Sequence, residues 1–251
     1  MDTTTYVALS AQVALQKQLE TVANNVSNAD TAGFKADRPF FQSFVDQLAG
    51  PGGSVSFVED AATYIDRGSG PIEVTGNAMD IAVDGNAYIS VAAAQETEYT
   101  RDGHLKVTPD GTLTDSAGRG VLGSDGAPIQ LPQGFTNFEV RANGNIKVTV
   151  NGRTQDVGQI GLFRPSSPVA MRKAGDGGLT ASASVMQPVS PDDDATVRIV
   201  QGSIEGSTVQ PMKEIANMTE LSRAYERLQS LLTNESDREN KMIDSLGHPA
   251  A

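Results

Sequence analysis

Asp192, Asp193 and Asp194 follow Pro191 as three consecutive carboxylates, the densest acid cluster in the 251-residue chain. Hard cations take carboxylate oxygens, so the run is a conceivable cation site. The plainer reading, a solvated loop after proline, is the better one. Repeated Asp-Gly pairs raise the idea of calcium loops, but none carries the D-x-[DN]-x-[DN]-G spacing. His104 directly follows a turn and lacks a neighbouring serine or acid arrangement for nucleophilic chemistry, so it reads as an exposed strand residue. His248 lies in a tail. These are the only two histidines, and there is no cysteine. Multi-histidine metal sites, thiol catalysis, cysteine zinc sites and disulfides are therefore excluded. Gly118-x-Gly120 lacks the following helix that a phosphate loop needs. No catalytic, cofactor-binding or metal residue is expected. The net charge of −12 also sets nucleic acid and anionic lipid aside as partners.

The elements that position these residues show in the glycines. Of 25 glycines, Gly33 is the only one before residue 50 and Gly247 the only one after residue 208, so 23 fall between Gly50 and Gly206. The same middle carries −8 of the −12 charge: its 11 bases and 19 acids are what remain of 19 and 31 after the ends. Two glycine-poor, nearly neutral ends flank a glycine-rich acidic middle. The expected domains are a discontinuous helical one, 1–49 plus 209–251, and a central β module, 50–208.

The first end reads as a helix over about 4–28. Leu15, Leu19, Val22 and Val26 recur at helical spacing, with Tyr6, Leu9 and Val13 upstream. Its polar positions are mostly uncharged, which suits packing between subunits. The last end, about 209–246, spaces Met218, Leu221, Tyr225, Leu228 and Leu232 as a heptad. Glu235 and Glu239 interrupt the stripe, and Met242 and Leu246 resume it. Ser207 or Thr208 is placed to cap this helix, with Pro211 in its first turn. Short apolar runs fill the middle, separated by Asp84-Gly85, Asp102-Gly103, Asp110-Gly111, Asp125-Gly126, Asn143-Gly144, Asn151-Gly152 and Asp176-Gly177. Each pair can supply a type I′ hairpin turn. Helical patterning between the strands is missing, which argues against a parallel sheet. The expected class is α+β: terminal helices paired as a coiled-coil-like core, and a central all-β antiparallel module. No stretch approaches 18 consecutive apolar residues, and the first twenty residues show no cleavable secretion signal.

Residues 23–35, Ala-Asn-Asn-Val-Ser-Asn-Ala-Asp-Thr-Ala-Gly-Phe-Lys, resemble the signature of the bacterial flagellar rod and hook proteins. Ala23, Asn24, Asn25, Asn28, Thr31, Gly33, Phe34 and Lys35 carry the match. Three further blocks resemble the same family in the same order: Thr75 to Gly85 (T-G-x-x-x-D-x-A-x-x-G), Tyr99-Thr100-Arg101-Asp102-Gly103, and Gly202 to Val209 (G-x-L-E-x-S-N-V). Ala87-Tyr88 and Thr208 depart from it. Length and the Val209-Gln210-Pro211-Met212 lead-in are most similar to proximal-rod members, with distal-rod and hook types as alternatives.

The resemblance implies a structural axial subunit with no cofactor, not an enzyme. It would leave the cell through the flagellar export apparatus without a cleaved signal and join copies of itself and other rod proteins in the basal body. The seams would be Leu15, Leu19, Val22, Val26, Met218, Leu221, Tyr225, Leu228, Leu232, Met242 and Leu246. It also implies that the amides of Asn24, Asn25 and Asn28 bond nearby backbone, that Gly33 permits a sharp exit, and that Phe34 anchors it. A peptidoglycan hydrolase, needing paired carboxylates in a cleft, and a β-rich adhesin are the competing readings.

Overall fold

The computed structural model describes residues 3–47, 54–66, 68–93, 96–166, 171–174, 177–192 and 194–247. Asp176, Asp193 and His248 lie outside the described residues, as do the side chains of Tyr6 and Leu246. Contacts divide the chain into two units, one of Met1–Ser27, Asp37–Tyr64 and Val209–Ala251, the other of Asn28–Ala36 and Ile65–Thr208. The expectation drew its line near residue 50. Contact keeps 37–49 with the helical unit, adds 50–64 to it and gives 28–36 to the β unit.

In the first unit, helix α1 (Thr3–Ser27) packs on helix α2 (Pro211–Gly247). Ala14 and Val22 of α1 are buried, and Leu15, Leu19 and Val26 are half-buried. From α2, Leu221, Tyr225, Leu228 and Leu232 are half-buried. Gln12 Nε2 donates to the Tyr225 hydroxyl at 2.9 Å. Pro211 opens α2, where its missing N–H costs nothing. Neither Ser207 nor Thr208 is the residue at the cap. The Gln210 carbonyl accepts from Lys213 and Glu214, and the Thr208 hydroxyl accepts from the Ala36 N–H in the other unit's own framework. The physical reason is distance along the chain: both residues precede the first helical turn by more than one position.

The same unit holds a two-stranded sheet of Asp37–Gln47 and Ser54–Ile65. The sequence reading did not anticipate it, although Phe and Val, good strand formers, recur through both runs. No helix among the described residues is long and apolar enough to cross a membrane.

The second unit is antiparallel throughout its described strand pairs. A nine-stranded sheet is centred on Tyr88–Ala92, which pairs with Thr97–Thr100, Gly120–Val121 and Leu162–Pro165. A three-stranded meander, Asn137–Val140, Asn145–Val150 and Arg153–Gln159, lies alongside two short ladders, Arg198–Gln201 on Ile81–Asp84 and Ser203–Glu205 on Ile72–Val74. Alternation along Tyr88–Ala92 serves two cores. Ile89 and Val91 join Ile81, Val83, Val121, Ile146 and Val148, whereas Tyr88 joins Tyr99, Leu179 and Met186.

The turn chemistry is narrower than expected. A type I′ turn needs positive φ at both central residues. Among the described residues Asn151 (φ 50°) is the one non-glycine with positive φ, and Gly152 follows at 75°. Asn151-Gly152 is thus the type I′ hairpin, joining the two longest strands of the meander. Asp84-Gly85, Asp110-Gly111, Asp125-Gly126 and Asn143-Gly144 turn with the glycine alone in the left-handed region, and Asp102-Gly103 does not use that region at all.

Candidate functional site

The four motif blocks contain residues that meet inside the second unit, around one carboxylate. Glu205 is 1% exposed. Lys35 Nζ donates to its Oε1 at 2.5 Å and the Gly70 N–H to the same oxygen at 2.8 Å. Arg101 Nη1 donates to Oε2 at 2.7 Å. The main chain joins in, since the Gly33 N–H donates to the Glu205 carbonyl at 2.7 Å. Arg101 also donates to the carbonyls of Val83 and Gly85, and its guanidinium lies 4.8 Å from the Tyr88 ring centroid. Its buried Nε has no partner, a cost the other contacts offset. Burial holds the Lys35 amine below its ordinary value, with Glu205 opposing the shift.

Two buried cations on one buried carboxylate make an interaction that is expensive to break from either side. It joins chain positions 35, 101 and 205, and the Thr208 N–H extends it by donating to the Phe34 carbonyl. The Phe34 ring is half-buried, and Lys173 Nζ sits 3.9 Å above its centroid. Where apolar anchoring was expected, the contact shown for the Phe34 ring is a cation–π one.

The Thr75 to Gly85 block closes on Asp80. Thr75 Oγ1, Asn77 Nδ2 and His104 Nδ1 all lie within 3.1 Å of its carboxylate. His104 forms an isolated bridge with Asp80 rather than lying within a strand. The turn at Gly118-x-Gly120 places Arg119 on Asp115 and Glu98, all three buried. Asp194 is held down to about 2 by the Thr196 hydroxyl and N–H and by Arg164, while Asp192 accepts from Asn143. The two described members of the acid run thus pin their own loop. Among the described residues no group of three or more candidate metal ligands is gathered.

Because residues 28–36 complete this junction, a fragment 28–208 is expected to unfold in one cooperative transition. A fragment 50–208 lacks Gly33, Phe34 and Lys35, and is expected to lose roughly 3 kcal/mol or more. Urea titration followed by far-UV circular dichroism compares the two, and equal midpoints would contradict the junction's importance.

The first unit carries the remaining predicted positions. Asn25 is buried and bonds the Asp37 backbone twice, accepting from its N–H at 2.8 Å and donating to its carbonyl at 2.9 Å. That is the amide-to-backbone role expected of it. Ala23 and Asn24 are exposed. In the second unit Asn28 accepts from Thr31, closing a turn. Of the seam positions, Val22 is buried, and Leu15, Leu19, Val26, Leu221, Tyr225, Leu228 and Leu232 are half-buried. Met218 and Met242 are exposed, at 38% and 48%.

Large exposed apolar side chains concentrate on these helices: Leu9, Val13, Met212, Ile215, Leu231 and Ile243 join the two methionines. Glu214, 2% exposed and bonded to Arg38, was not singled out from sequence. Nor was any role for Arg101 or Glu205. Motif membership marked the last two, but pairing across 104 residues has no local signature.

Comparison with known proteins places these features. Family models match in three places: flagella basal body rod protein over residues 6–35, flagellar hook protein FlgE/F/G D1 domain over 82–148, and flagellar basal body rod FlgEFG protein C-terminal over 200–245. The chain is 34% identical over 248 residues to the flagellar basal-body rod protein FlgF of Mesorhizobium japonicum, covering 98% of this chain and 99% of that protein. It is 32% identical over 251 residues to FlgF of Caulobacter vibrioides, with the same coverage. Against the flagellar basal-body rod protein FlgG of Bacillus subtilis the identity is 26% over 260 residues, covering 95% and 97%.

Proposed function

The chain belongs to the flagellar basal-body rod protein family, and from that premise we propose how its two units divide the work. It is a structural subunit of the basal-body rod and assembles there with other rod proteins. The helical unit makes the intersubunit contacts and the β unit forms the outer body of each subunit. Leu15, Leu19, Val22, Val26, Leu221, Tyr225, Leu228 and Leu232 hold α1 to α2, and the exposed apolar side chains, Met218 and Met242 among them, face neighbouring copies. The chain passes through the flagellar export apparatus without a cleaved signal and, once assembled, carries torque along the rod.

The observation that carries this reading is the helix pair, which spends its half-buried stripe internally and still exposes Leu9, Val13, Met212 and Ile215. Exposed apolar groups in such number mark interaction surfaces. The buried acids weigh against the hydrolase reading. Glu205, Glu214 and Asp115 are each held by a cation, whereas glycoside hydrolysis needs a pair of carboxyls free to flank the bond in a cleft.

Leu19→Asp and Leu228→Asp are each expected to abolish swimming in cells carrying only the variant, because a carboxylate on the half-buried apolar stripe of either helix weakens its packing. The β unit's circular dichroism should be unchanged. Swimming at the wild-type rate in both would remove the seam assignment. Sustained release of fragments from purified cell wall by the wild-type protein would instead favour the enzyme reading.

A further inference from the structure

The chain has seven methionines and no cysteine, so thioethers are its only sulfur. Met1 lies outside the described residues. The other six divide by unit. In the β unit Met171 and Met186, 7% and 5% exposed, pack with Tyr88, Tyr99 and Leu179, and Met79 is half-buried against the larger core. The three described methionines of the helical unit all stand on α2, and all are exposed: Met212 to 81%, Met218 to 38% and Met242 to 48%.

These sulfurs sit among other exposed apolar groups. Ile215 lies three residues from both Met212 and Met218, a spacing that makes neighbours on a helix surface, and Ile243 follows Met242. Leucine would supply the same apolar area. Methionine adds an oxidisable atom. The thioether lone pair attacks one oxygen of hydrogen peroxide, the O–O bond breaks, the S–O bond forms and, after proton transfer, water leaves. Sulfur is oxidised by two electrons and the peroxide is reduced by two. The oxidant must touch the sulfur, so exposure ranks the sites. The product is a polar, chiral sulfoxide. On an apolar helix face it must be desolvated before a neighbour can pack against it, which costs free energy.

We propose that Met212, Met218 and Met242 form a reversible oxidation site of the unassembled chain. Peroxide converts them to sulfoxides, and this withdraws the exposed face of α2 from packing between subunits until methionine sulfoxide reductases restore the thioethers. Neighbouring copies cover the same sulfurs after incorporation, so the modification acts before it. The inference rests on the assembly reading above and adds its regulation.

Peptide mass mapping of the purified full-length protein during hydrogen peroxide treatment tests the site. The three α2 methionines are expected to gain one oxygen each, on the order of ten-fold faster than Met171 and Met186. Oxidation of Met171 and Met186 at the same rate would overturn the site.

Sedimentation velocity tests the consequence. Oxidation is expected to weaken self-association by on the order of ten-fold, the equivalent of about 1.4 kcal/mol. The two stereospecific sulfoxide reductases together should restore it. Met212→Leu/Met218→Leu/Met242→Leu keeps the apolar area, so it should associate equally with and without peroxide. Sulfoxide at all three positions with unchanged association, or a leucine variant that still loses association in peroxide, would overturn the regulation while leaving assembly intact. A wild type that stays monomeric before treatment would overturn the assembly reading and the regulation together, and the mass mapping alone would then decide the modification site.

Discussion

Gly33→Ala is expected to destabilise the β unit by about 3 kcal/mol or more, two effects adding at one position. Gly33 sits at φ +68°, and a Cβ there would stand 2.3 Å from the Arg101 carbonyl carbon and 2.5 Å from the Asp102 nitrogen. The left-handed region alone costs a residue with a side chain roughly 1–2 kcal/mol. The remainder comes from backbone that cannot move aside, because Arg101 is tied to Glu205, Val83 and Gly85. Gly134→Ala separates the two effects. Its φ is +72°, and a Cβ there meets nothing within 4 Å. It should therefore lose only the conformational part. Urea unfolding followed by far-UV circular dichroism measures both. Equal losses would mean that close packing of the Gly33 segment on Arg101–Asp102 contributes nothing.

Glu205→Gln should cost about 3–5 kcal/mol, because it leaves Lys35 and Arg101 buried around a neutral amide. Lys35→Met leaves the Arg101–Glu205 pair intact and removes an amine that burial already disfavours, so its loss should be smaller, about 1–2 kcal/mol. The double variant is the sharper measurement. Once Glu205 has lost its charge, Lys35 is an uncompensated cation, and replacing it by methionine should recover stability. The expected coupling is thus strong and opposite in sign to simple addition of losses. Strictly additive losses would show that the three side chains do not act as one network.

Much of the architecture was legible before any coordinates. The recurrence of Leu15, Leu19 and Val22, and of Leu221, Tyr225 and Leu228, places the two helices, because a period of 3.6 residues is a local property of the chain. The antiparallel middle followed from short apolar runs between turn residues. Two features stayed hidden. The strands Asp37–Gln47 and Ser54–Ile65 lack clear apolar–polar alternation, although Gly50-Pro51-Gly52-Gly53 punctuates the sequence between them. The cap of α2 falls at Gln210, beyond both Ser207 and Thr208, and the Thr208 hydroxyl serves Ala36, a partner 172 residues away.

Residue types and order alone determined that this chain has helical ends, an antiparallel acidic middle and the motif blocks of a rod subunit, since each of those signals lies within a short window. Only the tertiary structure decided that Lys35, Arg101 and Glu205 share one buried site, that residues 28–36 belong with the β unit, and that Met218 and Met242 stay exposed while Val22 does not. Burial and ion pairing depend on which distant segments are brought together. That is settled by packing the whole chain, and no local pattern records it.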